Sequence, residues 1–412
     1  MSRVQNRLHV ALENLETEDN ELVWAGRRVS EIAQEAGSTP FYCYDRDRLT
    51  QRVGDLRDAL PGDISIHYAM KANPMPAIVS HMVTLVDGLD VASGGELRVA
   101  LDTGIDPELV SFAGPGKRPE EISQAIAAGI TLNVESEIEL ERIIRIADEL
   151  DLRPSIALRV NPDFELKTSG MKMGGRPAQF GIDAERVPDI LRRMNLDEVD
   201  FAGFHVYSGS QNLSHEAIIE SQTKTLDLCI RLADDAPCPP RLLNIGGGFG
   251  IPYFPADRYL DLAPIGENLE QLLPKARASL GDVEVVIELG RYLAGEAGIY
   301  VSRVLDKKIS RGETFLVVDG GLHHHLAASG NFGQILRKNY PAVVGTAVVN
   351  ESMPAATVVG PLCTPLDLLA DSMPLGHAEV GDLIVLFQSG AYGPSASPTR
   401  FLSHPEPGEL LV

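Results

Sequence analysis

Eight short apolar runs rich in valine and isoleucine recur in the first three quarters of the chain. They are ISIHYAMK (64–71), GLDVAS (88–93), LVSFAG (109–114), ITLNVES (130–136), SIALRVNP (155–162), FAGFHVYSG (201–209), RLLNIGGG (241–248) and EVVIELGR (284–291). Runs of this length bounded by turn residues read as buried strands. The segments between them, such as AERVPDILRRM (184–194), space their apolar residues as a helix does. Strand and helix alternating eight times predicts a (β/α)8 barrel. In such a barrel chemistry collects at the C-terminal ends of the strands. Those ends carry Lys71, Asp90 with Ser93, Gly114, Glu135, Arg159 with Asn161, His205, Gly246 to Gly248, and Glu288 with Arg291.

After Arg291 the alternation stops. IYVSRVLDKKIS, ETFLVVDGG, ATVVGPLC and DLIVLFQSGAYG read as strands punctuated by glycine and proline. The pattern thus divides the chain into an N-terminal segment (1–40) pairing with a β domain, a barrel (41–293), and a C-terminal β domain (294–412), a barrel or sandwich. The segment ELVWAGRRVS is the part of the N-terminus expected to pair.

Composition narrows the partners. The 412 residues hold 36 Lys and Arg against 58 Asp and Glu, a net charge of −22. So acidic a surface disfavours nucleic acid and anionic membrane as partners, and an anionic substrate then needs a local basic pocket. No apolar run reaches the roughly 18 residues of a membrane span. Cys43, Cys229, Cys238 and Cys363 are too few for a disulfide framework and lack CxxC spacing, so a cysteine zinc site is not expected. The polar, acidic first twenty residues do not resemble a signal peptide, which makes the reducing cytoplasm the expected compartment.

Five features bear on chemistry. A lysine at a barrel mouth, partly desolvated, is an amine nucleophile suited to a Schiff base, although a lone strand-end lysine is ordinarily a solvated surface residue. Gly246-Gly247-Gly248-Phe249-Gly250 follows the seventh strand, where bare backbone N–H groups cradle phosphates, and it matches neither the Rossmann fingerprint nor the P-loop. Glu288, three residues before Arg291, is placed to hold a pyridine nitrogen protonated; the plainer alternative is a Glu–Arg ion pair. His205 is placed to stack on a ring, or is a satisfied core histidine. His323-His324-His325 has no carboxylate or cysteine partner at ligand spacing, so it is read as a polar loop at an active-site rim, with no metal expected.

Together these residues resemble the fold-type III pyridoxal-phosphate (PLP) decarboxylases, the ornithine and diaminopimelate decarboxylase group. The resemblance runs over nearly the whole chain through TPFY, YAMKAN, GLDVAS, HVYSGSQ, NIGGGFG, ELGR, DGG, GPLC and SGAYG. It implies an alanine-racemase-like barrel with a β domain, PLP as cofactor, and decarboxylation of an amino acid. Carried over by position, Lys71 would form the internal aldimine, His205 would stack on the ring and Glu288 would bind the pyridinium nitrogen. Asp90, Arg159, Ser208, Gly247, Gly248, Gly290, Arg291 and Tyr392 would surround the cofactor, its phosphate or the substrate carboxylate. Cys363 would reach the site of a partner subunit and reprotonate the quinonoid carbon, since the family is a head-to-tail homodimer with shared sites. Alanine racemases set an arginine against the pyridine nitrogen, so Glu288 favours decarboxylation over the alternative of a racemase. A catalytically silent, partner-binding relative is disfavoured because Lys71, His205, Glu288 and Cys363 are all present.

The departures concern the substrate. In many members an acid follows the cysteine and binds the distal ammonium; here Thr364-Pro365 follows, and threonine supplies no counter-charge. Arg337 and Tyr340, the candidates for the diaminopimelate pattern, stand three apart rather than four. The loop at 167–176 is basic and glycine-rich in an acidic protein. That loop, with GGLHHH and GPLCTP, is similar to a subgroup that includes the glutamyl-carrier-protein decarboxylase and exopolysaccharide- and sorting-associated decarboxylases. A carrier-tethered aminoacyl substrate would explain Thr364 and give the loop a role, contacting the carrier or its phosphopantetheine arm. The alternatives are a loop that only covers the mouth, and a diamino-acid decarboxylase acting on free substrate.

Overall fold

The structure, a computed structural model, describes residues 9–165, 171–172, 174–332, 334, 337–349 and 353–412. The chain divides into two compact units: Thr50–Gly250 with Leu260–Tyr292, and Met1–Leu49 with Ile251–Tyr259 and Leu293–Val412.

The first unit is the barrel. Its strands are Ile64–Ala69, Gly88–Val91, Val110–Phe112, Thr131–Val134, Ser155–Asn161, Asp200–His205, Leu242–Gly247 and Glu284–Leu289. Each pairs in parallel with the next, and the eighth closes onto the first. The strands are buried along almost their whole length. That is why they read as continuous apolar runs rather than as an alternation: helices cover one face and barrel side chains fill the other. The turns from strand to helix are fixed locally. Ser93 caps helix Gly94–Asp102 through the Glu96 N–H, Ser136 caps Glu137–Leu150, and Ser214 caps His215–Ala233. These caps all stand at one end of the barrel and hold the strand-end loops in place.

The second unit is built on the long strand Gly298–Ser310, which pairs antiparallel with Phe41–Tyr44, Glu313–Val318 and Leu383–Leu386. Phe41–Tyr44, placed in the barrel by the sequence pattern, is thus a strand of the β unit, flanked by Gly298–Ser310 and Gly408–Leu411. The reason is local: all four of its side chains are buried in this unit, so nothing in its own sequence distinguishes it from a barrel strand. Leu22 and Trp24 of the N-terminal meander share an apolar cluster with Phe41, Ile299, Val301 and Val385. The Leu22 N–H donates to Gly345 O at 2.8 Å.

Candidate active site

The C-terminal ends of the barrel strands gather three buried acids, each beside a base. Glu288 ends the eighth strand, and its Oε2 lies 3.0 Å from His205 Nε2 on the sixth. The contact is a charge contact off the hydrogen-bond line, and neither ring nitrogen of His205 has a hydrogen-bond partner. Asn244, on the strand between, donates from Nδ2 to the same oxygen at 3.2 Å. Burial pushes the Glu288 carboxyl up, but His205, Lys71 and Arg159 outweigh it and hold the group well below the ordinary carboxylate range. It is therefore an anion inside a barrel.

The second pair is Glu135 with Arg159, whose Nη1 donates at 2.7 Å. Glu135 also accepts from Gly114 N at 2.6 Å and Gly181 N at 3.2 Å, so both of its oxygens are engaged. Behind it, buried Lys117 donates to Glu139, to Gly114 O and to Asn133 O. Burial lowers the pKa of this ammonium, against the pull of Glu139 and Glu135. The third pair is Asp90 with His67, whose Nδ1 stands 3.3 Å from Oδ1.

Lys71 follows the first strand on the 3-10 turn Met70–Ala72. Its side chain is exposed, not partly desolvated as its position at a strand end suggested, because that turn carries it past the last strand residue. Its Nζ lies 5.4 Å from the centre of the Tyr207 ring.

The glycine run after the seventh strand is packed against backbone. A Cβ on Gly247 would stand 2.1 Å from Glu288 O, and one on Gly248, which has φ +74°, 2.1 Å from Gly209 O. Only glycine fits, and the run lies close beside the segment 206–212. There Ser208 keeps a buried hydroxyl with no hydrogen-bond partner. The backbone of Met171–Lys172 pairs with Gly209–Ser210, so the loop after the fifth strand lies over the loop after the sixth. Of the basic loop, 167–170 and 173 lie outside the described residues. Gly290 has no room for a Cβ beside Ala69 O and Ala72, and Arg291 opens the helical turn Arg291–Ala294.

The remaining candidates belong to the β unit. Cys363 is exposed. Thr364 Oγ1 accepts from the Leu366 N–H at 3.3 Å, a loop-turning contact. Arg337 donates through Nη2 to Leu368 O at 2.7 Å, while its buried Nε and Nη1 have no hydrogen-bond partner. Tyr340 is buried against Tyr253, Phe254 and His325. Tyr392 takes a left-handed backbone, φ 55°, with its ring 6.2 Å from that of Phe332. The histidine run is not a polar rim loop: all three residues are buried. His325 accepts the Ala328 N–H at Nδ1, which leaves Nε2 to donate to Ser389 Oγ at 2.9 Å, and burial holds its pKa down to about 3. His324 meets Pro405 O through Nε2. No cluster able to hold a metal occurs among the described residues.

The sequence reading passed over His67, Ser111, Asn133, Asn244, Lys117 and Glu139. For His67, Ser111, Asn133 and Asn244 the signal was a polar residue inside an otherwise apolar strand run; Lys117 and Glu139 lie outside the strands and carried no such signal.

An orphaned ring beside an ionised carboxylate, an orphaned buried hydroxyl beside a bare glycine run, and a lysine at the same end of the barrel suit a planar, cationic heterocycle bearing a phosphate and an aldehyde. Comparison with known proteins agrees. The family described as pyridoxal-dependent decarboxylase, pyridoxal binding domain, matches residues 46–295. The L-glutamyl-[BtrI acyl-carrier protein] decarboxylase of Niallia circulans is 38% identical over 379 residues, 90% of this chain and 88% of that protein. The diaminopimelate decarboxylase of Aquifex aeolicus is 32% identical over 401 residues, 97% and 92% of the two chains. Among solved structures, the Helicobacter pylori diaminopimelate decarboxylase complexed with L-lysine superposes with a TM-score of 0.81 at 30% identity, covering 93% of this chain and 94% of that one.

Proposed function

The chain belongs to the pyridoxal-dependent decarboxylases, and on that premise we propose that it removes the α-carboxylate of an aminoacyl group, of glutamyl type, tethered to an acyl carrier protein. The observation that carries the decarboxylase part is the ionised Glu288 held by His205 and Asn244 at the barrel's C-terminal end. The tethered substrate is supported by the threonine after Cys363, whose hydroxyl turns its own loop. It is supported too by the resemblance to the Niallia circulans enzyme.

Bound pyridoxal phosphate supplies an electron sink for the pair that CO2 leaves behind. The chain's residues do the rest. Lys71 would provide the amine that holds the cofactor. Glu288, an anion, would hold a proton on the ring nitrogen of the cofactor. His205, whose Nε2 lies against Glu288 at the ring edge, would offer its flat face to the cofactor ring. Gly247, Gly248 and Ser208 offer N–H and O–H donors to the phosphate, with Gly290 closing the strand end beside them. To Arg291, Arg159 and Asp90 we assign positions around the cofactor. To Tyr392 and Arg337 we assign phosphate or substrate carboxylate contacts, and to Tyr340 a substrate contact. Cys363, exposed on its loop, is assigned the return of the proton to the α-carbon in the site of a partner subunit of a homodimer. The four cysteines are all free, which suits a reducing, cytoplasmic setting. Among the described residues no helix is long and apolar enough to cross a membrane.

The test is CO2 release from a panel of free amino acids and carrier-bound aminoacyl thioesters. Turnover of a thioester well above that of the free amino acids is expected. Preference for free diaminopimelate would replace the carrier reading, and interconversion of enantiomers without CO2 would overturn decarboxylation. Borohydride reduction should place the pyridoxyl group on Lys71. Mixing Lys71→Ala and Cys363→Ala chains should restore part of the activity; no recovery would refute shared sites.

A further inference from the structure

His67 has no part in the function above, and its partner Asp90 was given only a place around the cofactor. His67 sits on the first barrel strand, four residues before Lys71, and Asp90 is the penultimate residue of the second, level with Ala69. Both side chains are over nine-tenths buried, at 8% and 6% exposure. Asp90 Oδ1 receives the Ser111 hydroxyl at 2.6 Å and faces His67 Nδ1 at 3.3 Å; Asn133 donates to Ser111 at 3.0 Å. Four consecutive strands thus contribute one residue each to a chain of contacts that ends on Asp90. Its other oxygen, Oδ2, is buried and has no hydrogen-bond partner. The ring's place is reserved: a Cβ on Gly88 would stand 2.4 Å from His67 Nε2.

A buried carboxylate with an unused oxygen is costly unless a donor arrives from outside the fold. We propose that His67 is a positioning residue for the Lys71 site: carrying its proton, it neutralises Asp90 and, with Ser111, fixes its rotation so that Oδ2 meets a donor on the bound cofactor or substrate. The carboxylates that face the His67 ring are Asp90 on the second strand and Glu284 and Glu288 on the eighth, with Glu288 directly in register. Lys71 is the cation on the 3-10 turn that follows its strand. Burial opposes charge on the imidazole, but the three acids outweigh it, so the ring holds its proton above the ordinary histidine value. The sign follows: the pair is intact below that raised value and is lost as pH rises through it.

The inference rests on Lys71 carrying the cofactor, so one readout is made without it. Carbon-13 histidine NMR of the full-length apo protein should show one signal, absent in His67→Asn, that titrates above the ordinary value and moves down in Asp90→Asn. In the loaded protein, the pH midpoint of the lysine-bound cofactor's visible band should rise in His67→Asn by about one unit. The asparagine amide can keep a donor near the Nδ1 place without its charge, leaving Asp90 unneutralised one strand from Lys71. The midpoint should fall in Asp90→Asn, and the double variant should behave as Asp90→Asn alone. A His67 signal indifferent to Asp90→Asn, or an unmoved midpoint with the pyridoxyl group on Lys71, overturns the proposal. A cofactor absent from Lys71 refutes the function instead and leaves the NMR result to decide on the pair. Should His67→Asn not fold, the wild type and Asp90→Asn alone decide through the same two signals.

Discussion

Replacing Glu288 by glutamine is the sharpest test of how the barrel stabilises charge. The amide keeps the shape of the carboxylate and its place beside His205 Nε2, at 3.0 Å, and Asn244 Nδ2, at 3.2 Å. It loses the negative charge that the proposed function sets against the ring nitrogen of the cofactor. A charge-assisted hydrogen bond contributes about 1.5–3 kcal/mol over a neutral arrangement. At about 1.4 kcal/mol per decade, kcat should fall roughly 10- to 150-fold. The loss belongs in kcat, with KM little changed, because the charge matters most when the electron pair moves into the ring. The assay is steady-state CO2 release on the preferred member of the panel, with cofactor content measured on the same samples. A kcat within about threefold of wild type, or a loss confined to KM, would refute the reasoning. The pH profile adds a second check. Because the carboxyl is held below its ordinary range, its ionised form persists as acid is added and is lost only as pH falls through the lowered value. Stability from this group likewise is present above the ordinary carboxylate pKa and fades towards acid. The glutamine variant should lack both dependences.

Three further outcomes follow from the geometry. Gly247→Ala places a methyl 2.1 Å from Glu288 O, so cofactor retention should collapse and stability fall by about 1–3 kcal/mol, read by absorbance and a denaturant midpoint. Lys117→Met leaves Glu139 buried without its cation and should cost about 3–5 kcal/mol in urea unfolding, with much of the loss recovered in Lys117→Met, Glu139→Gln; an unchanged single variant would refute the buried pair. His325 is held neutral, at about 3 against 6.5 unfolded, so stability is full above 6.5 and lost towards acid at about 1.4 kcal/mol per pH unit. His325→Gln should flatten that slope between pH 6 and pH 4, and equal slopes would contradict the assignment.

The strand pattern placed all eight barrel strands, because a strand buried on both faces must be apolar throughout and its ends must turn polar at the mouth. Lys71, Glu288, His205 and the glycine run were legible for the same reason: each breaks an apolar run at the same end. Phe41–Tyr44 was misplaced because four buried residues in a row look alike whether they line a barrel or pair with Gly298–Ser310. The histidine run misled because polarity suggests exposure, while Nδ1 and Nε2 of His325 are satisfied inside by Ala328 and Ser389. Which acid meets which base was not legible at all. His67 with Asp90, Arg159 with Glu135 and Lys117 with Glu139 are 23, 24 and 22 residues apart, and the packing of neighbouring βα units brings them within 3.3 Å. Local periodicity determined the elements and the end at which chemistry would sit. Only the tertiary structure decided the pairing of charges, because that depends on register between strands, which no single strand's sequence records.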